Sequence, residues 1–392
     1  MQTAMTSLLP VAEQVVLDRR HLHAHPELGF QEIETAGFVA ERLRALGLEV
    51  RTGVARTGVV ALLRGAKPGK TVLLRADIDA LPIQEENDVP YTSRNAGVMH
   101  ACGHDAHTAI LLNAARVLVE HRDRLAGVVK LVFQPCEEQA PGGAAAMIAE
   151  GVLENPAVDA AFALHVSQDG PVGTVSTCVG PTMAAADTFR LNLTGVGGHG
   201  AYPQQCIDPV VAAAQITLAL QTIVSRETDP MQSAVITVGS IHAGDAPNII
   251  PQTCTMTGTV RSFDAGVRRH LAKRIEEVAT GLARVLRVEC VCHYSFGNPA
   301  VVNDPAMTEL VFQVAHEVTA ADKVLVEVPS MGAEDFSSFL EKVPGCYFFI
   351  GTRNPEKNLT YGHHHPKFDI DESALPLAVE MMVSVAERFL RT

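Results

Sequence analysis

Apolar residues recur at helical spacing in "LLPVAEQVVLDRRHL" and "TAGFVAERLRALG". Short β-branched or aromatic runs, "TGVVALLRG", "KTVLLRAD", "GVVKLVFQP" and "AVDAAFALHV", are bounded by glycine, proline or aspartate and predict strands. "HTAILLNAARVLVEHRDRL" predicts a long amphipathic helix between two of them. Strands alternating with helices predict an α/β fold with a mixed, largely parallel sheet. From about Asp187 the texture changes. "DTFRLNLTG" alternates as a half-exposed strand, and a helix follows in "DPVVAAAQITLALQTIV", with Asp208 as its cap and Pro209 at its first position. Strands in "SAVITVGSIHAG" and "TCTMTGTVRSF", a helix in "AGVRRHLAKRIEEVATGLARVL" and a strand in "RVECVCHYSF" complete the order β-α-β-β-α-β, that of a ferredoxin-like unit. After Gly297 the α/β texture returns, with helices expected near "PAMTELVFQVAHEV" and "GAEDFSSFLEKV", the strand "GCYFFIGT" and a terminal helix from about Glu372. One α/β domain, residues 1–186 and 298–392, is therefore expected to be interrupted by an inserted α+β domain at 187–297. No internal repeat or low-complexity tract is seen.

The length of 392 residues agrees with two cores rather than one. With 31 lysines and arginines against 44 acidic residues, the net charge of −13 repels polyphosphate, which argues against nucleic acid and anionic membranes as partners. Apolar runs break at a charge, glycine or proline before reaching the length of a bilayer span. The start "MQTAMTSLLPVAEQVVLDRR" lacks the basic head and long apolar middle of a secretory signal, so the expected compartment is the cytoplasm. Eight scattered cysteines without a CxxC pair read as reduced thiols, mostly packed as small hydrophobes; Cys102 and Cys136 stand apart because of their neighbours.

Those neighbours carry the chemistry. In an open α/β sheet, sites form beyond the carboxyl ends of the strands. Asp77 and Asp79 follow one strand, and "MHACGHDAHT" brings Cys102, His104, Asp105 and His107. Glu137 and Glu138 follow another strand, His165 ends a third, and His363 to His365 come after the last. Taken singly, His165 reads as a core histidine, the glutamates as a solvated pair and the aspartates as turn residues. Five segments delivering thiolate, imidazole or carboxylate to one sheet edge read instead as a site for two divalent ions, with zinc, manganese, cobalt or nickel favoured by the sulfur and nitrogen donors. One of two adjacent glutamates can ligate while the other takes a proton from water, whose pKa a metal lowers from ~15.7 to about 7.

"GVGGHG", Gly195 to Gly200, matches a dinucleotide-binding fingerprint, but such a turn must run straight into a helix, and here "AYPQQCI" intervenes. Three other readings compete with the metal hydrolase: a Rossmann oxidoreductase, a cysteine hydrolase using Cys102 with His104 or His107, and a non-catalytic metal-binding protein. The pair Glu137–Glu138 argues against the last, since a binding protein needs no base.

"RADIDALPI", "MHACGHDAHTAILL", "FQPCEEQAPGGAAAMI", "GVGGHGAYP", "APNIIP", "GTVRSF", "GAEDF" and "HHHPKFDIDE" together resemble the hippurate hydrolase and indole-acetyl-amino-acid hydrolase branch of the dinuclear aminoacylase/carboxypeptidase family. The resemblance runs in order over nearly the whole chain. It implies two divalent metal ions per subunit in a catalytic domain, with a smaller lid domain that forms a homodimer or homotetramer. It implies hydrolysis of N-acyl amino acids to an acid and an amino acid, with a dipeptidase or carboxypeptidase of the same fold as the alternative. By that resemblance Cys102, His104, Glu138, His165 and His364 match metal ligands, with His365 as an alternative to His364. Glu137 matches the general base, and Asp77 and Asp105 match residues that orient ligands. His199 matches a histidine that reaches the partner subunit's active site to stabilise the oxyanion; Asn248 matches a second group on oxyanion or substrate, and Arg261 a clamp for the substrate's carboxylate. "LDRRHLHAHPELGFQE" also matches the family, and its three histidines read as structural. Two departures stand out. "QQCID" after Pro203 replaces the usual histidine and hydroxyl, and Cys136 beside the base raises the expectation of an oxidation-sensitive thiol.

Overall fold

A computed structural model describes residues 2–140 and 142–392, with side chains from residue 10 onward. The chain divides into two compact units: Met1–Thr182 with Val302–Val328 and Asp335–Thr392, and Met183–Val301 with Pro329–Glu334.

In chain order, the first unit opens with α1 (Gln2–Ala24) and α2 (Ile33–Ala45), then β1 (Glu49–Val54), β2 (Gly58–Arg64) and β3 (Lys67–Asp77). α3 (His104–Glu120), β4 (Ala126–Gln134), α4 (Gly143–Ala149), β5 (Ala160–Pro171) and β6 (Val175–Thr177) follow. The second unit holds β7 (Ala185–Thr194), α5 (Pro209–Thr222), β8 (Ala234–His242), β9 (Thr253–Ser262), α6 (Ala265–Val285) and β10 (Glu289–Ser295). The chain returns to the first unit with α7 (Pro305–Val318), β11 (Val324–Val326), β12 (Gly345–Arg353) and α8 (Leu375–Arg391).

The larger sheet has the order β1-β2-β4-β3-β5-β12-β6-β11. β4, β3, β5 and β12 run parallel to one another, whereas β1–β2, β2–β4 and β12–β6 are antiparallel. The fold is α/β with a mixed sheet. The last seven residues of β3 are all buried, as expected of a strand covered on both faces. Buried side chains of α1, α3 and α8, such as Val15, Ile110 and Val379, share one apolar core with those of β3, β4 and β5, such as Leu74, Phe133 and Phe162. The parallel strands share one polarity, so β3, β4 and β5 carry Asp77, the Glu137–Glu138 turn and His165 toward the same edge. Among the described residues no helix is long and apolar enough to cross a membrane.

In the smaller unit the sheet order is β8-β9-β7-β10, entirely antiparallel. Phe189, Leu191, Leu193, Met256 and Val260 alternate onto one face and pack with Ile216 and Leu220 of α5 and Leu271 and Ile275 of α6. The helix after "GVGGHG" begins at Pro209, its amide ends capped by Asp208, whose carboxylate accepts from Val210 N at 2.8 Å.

One expected helix is nearly absent: "GAEDFSSFLEKV" gives a single turn, Ser337–Leu340. Its start cannot coil, because the Asp335 carboxylate is held by Arg75, Gln134 and the Ala144 amide. β1, α4 and the three-residue strands β6 and β11 were not foreseen, since so short a pattern has no readable period.

Candidate metal centre

Four segments of the larger unit converge. Ligand-type atoms of Cys102, His165 and His363 lie within 4.8 Å of one another, as do those of Cys102, Glu138 and His364, and those of His104, Glu137 and Glu138. Each segment is placed by its own local geometry. Gly103 caps α3 with φ 90°, and a Cβ there would lie 2.3 Å from Val166 Cγ2, so only glycine lets the Cys102 turn pass against β5. His165 sits within β5, in register with Phe349 of β12. Cys136, φ 51°, turns the chain after β4 and donates its amide to Glu32 Oε1 at 2.9 Å, which aims Glu137 and Glu138 inward. His364, φ 65°, is pinned to the Cys102 segment by its amide on Ala101 O at 2.8 Å.

Hydrogen bonds set which ring nitrogens are available. His104 Nδ1 bonds Asp79 O at 2.9 Å, a carbonyl that can only accept, so Nδ1 carries a proton and, whenever the ring is neutral, Nε2 keeps its lone pair. His165 Nδ1 bonds Val166 O at 2.6 Å with the same consequence, and its Nε2 lies 3.5 Å from Cys102 Sγ. This is the arrangement of a metal-ligating histidine, whose other nitrogen donates to carbonyl or carboxylate. His104 Nε2 and Glu138 Oε1 are both buried and, among the described residues, have no hydrogen bond of acceptable geometry, although Glu138 Oε1 stands 3.2 Å from His364 Nε2. Two buried polar atoms left unmatched beside a thiol and two imidazoles fit a divalent cation, which would satisfy all of them.

His107 also lies within 4.8 Å of His104 and His165, yet both of its nitrogens are committed. Nδ1 bonds Asp77 Oδ1 at 2.6 Å and Nε2 accepts from Val166 N at 2.9 Å. It is a brace. His365 stacks on Tyr361 and accepts from Lys367 N at 3.0 Å, in none of the donor groups, whereas His364 is in one. His363, given no role from the sequence, is brought beside Cys102 and His165, and among the described residues its buried Nδ1 has no hydrogen-bond partner.

The two predicted orienting aspartates differ. Asp77 takes His107 on one oxygen and Arg75 at 2.6 Å on the other, which is 3.8 Å from His104 Nε2. Asp105 touches no donor of the cluster; it binds Arg19 and His23, each at 2.8 Å, and so ties α1 to the first turn of α3. Asp79, read from sequence as either a donor or a turn residue, braces two groups: Oδ1 is 3.3 Å from His104 Nδ1 and Oδ2 accepts from Glu138 N at 3.1 Å. Only its place two residues after Asp77 hinted at this.

Burial dominates the electrostatics. It pushes the Cys102 thiol well above its usual pKa, with the charge of Glu138 adding to the shift. It pushes His165 well below the usual imidazole value and His363 down to about 3. Burial also opposes charge on His104, but Asp77 and Cys102 outweigh it and hold that ring well above its ordinary range. A bound divalent cation would draw the thiol to thiolate and keep the rings neutral. Cys136 departs from the sequence expectation. It is 1% exposed, pressed against Gly29, and burial lifts its thiol to about 12, so it is a packed side chain rather than a reactive one.

The remaining candidates lie in the smaller unit. His199 is exposed on the two-residue strand Gly198–His199, paired with Ile249–Ile250, and Gly200 N bonds Asn248 O at 2.8 Å. His199 and Asn248 are therefore neighbours. In the departure after Pro203, Gln204 and Gln205 are exposed, while Cys206 is buried beneath Gly198, where a Cβ would lie 2.5 Å from its sulfur. Arg261, on β9, bonds Val260 O at 3.1 Å, and among the described residues no hydrogen bond links it to His199 or Asn248.

Known proteins resemble this chain over most of its length. Residues 73–388 match the pattern described as peptidase family M20/M25/M40. The N-acetyl-L-cysteine deacetylase of Bacillus subtilis is 42% identical over 384 residues, 98% of this chain and 90% of that protein. Thermostable carboxypeptidase 1 of Saccharolobus solfataricus is 41% identical over 382 residues, 97% of this chain and 96% of that protein. Among solved structures, the Bacillus subtilis YXEP protein, described as a dinuclear metal binding peptidase, superposes with a TM-score of 0.85 at 35% identity, covering 98% of this chain and 99% of that one.

Proposed function

The chain belongs to peptidase family M20/M25/M40, and on that premise we propose that it hydrolyses N-acyl amino acids to a carboxylic acid and a free amino acid. The broader class, an amidohydrolase, follows from the family. The observation that carries metal-dependent hydrolysis is the pair of three-donor groups sharing Cys102, with Glu137 beside His104 and Glu138, and the likeness to an N-acetyl-L-cysteine deacetylase supports an acylated amino acid as substrate.

Cys102, His104, Glu138, His165 and His364 would hold two divalent ions. Those ions would supply Lewis acidity and lower the pKa of a water. Glu137 takes the water's proton and later returns it to the leaving amine nitrogen. Asp79 keeps His104 and Glu138 in place, and His107 buttresses the start of α3 through Asp77. His199 and Asn248 donate to the oxygen that gains charge as the carbonyl becomes tetrahedral, His199 coming from the second copy of a homodimer. Arg261 clamps the substrate's carboxylate with a planar fork, which favours acylated amino acids over neutral amides. The free cysteines suit work in the cytoplasm.

A screen of N-acyl amino acids, on protein stripped of metal and reloaded with zinc, manganese, cobalt or nickel, tests this. Turnover restored by at least one metal is the expected result, and none with any metal would overturn it. The carboxypeptidase relative supports a second reading, cleavage of the last residue from a peptide, which dipeptides in the same screen distinguish.

A further inference from the structure

The smaller unit carries a concavity of about 440 Å3, whose lining includes Thr188, Arg190, Thr257, Thr259, His293 and Ser295. It lies on the sheet face turned away from α5 and α6, because Phe189 and Leu191, which flank Arg190 in sequence, are in the core under those helices. Register places the six in two rows. Arg190 stands opposite Thr257 on one side and His293 on the other, and Thr188 opposite Thr259 and Ser295. Directly opposed side chains sit roughly 4.5–5.5 Å apart at Cβ, where two bases face each other unfavourably.

Some bases of this unit meet acids. Arg268 pairs with Asp187 at 2.6 Å, Arg274 with Glu227 at 2.6 Å, and His270 lies 3.7 Å from Glu227. Among the described residues Arg190 and His293 form no ion pair, and no carboxylate lines the concavity. In a chain of net charge −13, two opposed bases framed by four hydroxyl groups make a surface complementary to an anion.

We propose that Arg190 and His293, with the surrounding threonine and serine hydroxyls, bind the carboxylate of a small molecule. The guanidinium presents two parallel N–H groups, the imidazole a third donor, and the hydroxyls turn to complete the shell. The site is separate from Arg261. That residue lies four positions beyond Thr257 on β9, about 13 Å along the strand, with the same parity and hence on the same face. The choice of carboxylate over phosphate rests on the function proposed above, since both products of that reaction carry one.

The test is calorimetric titration of the metal-loaded protein with succinate and, separately, with inorganic phosphate, in wild type, Arg190→Gln, Arg190→Lys and Arg261→Gln. Arg190→Gln should weaken a succinate-binding event about tenfold or more, and Arg190→Lys by less. Arg261→Gln should leave that event in place. Arg190 is exposed, and an unchanged melting temperature excludes a folding defect. Equal succinate affinity in wild type and Arg190→Gln would overturn the site, and phosphate binding as tight as succinate would overturn the carboxylate assignment. Because binding is read without turnover, failure of the hydrolysis screen would leave this result standing.

Discussion

The two sets of candidate residues are built in opposite ways. In the larger unit His104, His165 and Glu138 are braced from behind. A buried chain runs from Asp335 through Arg75 and Asp77 to His107, which meets the backbone beside His165, and Asp79 holds His104 and Glu138 together. In the smaller unit His199 accepts one bond, from Ala201 N at 3.1 Å, and Arg261 reaches only the carbonyl of its own neighbour. The difference follows from dielectric. Buried charges must be matched or they cost several kcal/mol each, so a cation site inside a protein brings a scaffold with it. Exposed groups stay hydrated, need no scaffold, and can wait for substrate or a second subunit to organise them. A preorganised centre and an adaptable surface are the two halves of the proposed chemistry.

The contrast can be broken at its strongest point first. Glu137→Ala should lower kcat by about 10³-fold or more while metal content, read by mass spectrometry, stays at wild type; activity near wild type would remove Glu137 as the base. Arg75→Met leaves Asp77 and Asp335 without their shared cation, and denaturant unfolding should show a loss of about 3–5 kcal/mol. His199→Ala, in the exposed set, should stay within about 0.5 kcal/mol of wild type, and a comparable loss there would erase the distinction.

The third test uses pH. Burial opposes charge on His23, but Asp105 and Glu85 prevail and raise it to about 9. A raised histidine stabilises the fold fully below its unfolded value of about 6.5 and loses that contribution as pH climbs through about 9. The melting-temperature gap between wild type and His23→Gln should therefore be several degrees at pH 6 and should shrink by pH 9.5. A gap that widened would show that His23 is neutral in the fold. The smallest effect belongs to the surface: Arg261→Lys keeps the charge but loses the fork, and should raise KM about tenfold with little change in kcat.

Periodicity was enough for the long elements. The Asp208–Pro209 start of α5 and the β-α-β-β-α-β order were legible because caps, prolines and alternating strands act locally. The helix expected over "GAEDF" failed for the opposite reason, since Asp335 answers to Arg75, 260 residues away. The same divide runs through the metal centre. That thiol, imidazoles and carboxylates follow the strand ends, and so can hold metal, was written in the chain. Which nitrogen of His104 carries the proton, that His107 is a brace, and that Cys136 is buried depend on contacts between distant segments. Residue type determines what chemistry is possible. Only the folded neighbourhood, through burial and the hydrogen bond on the far side of each ring, decides which atoms are free to perform it.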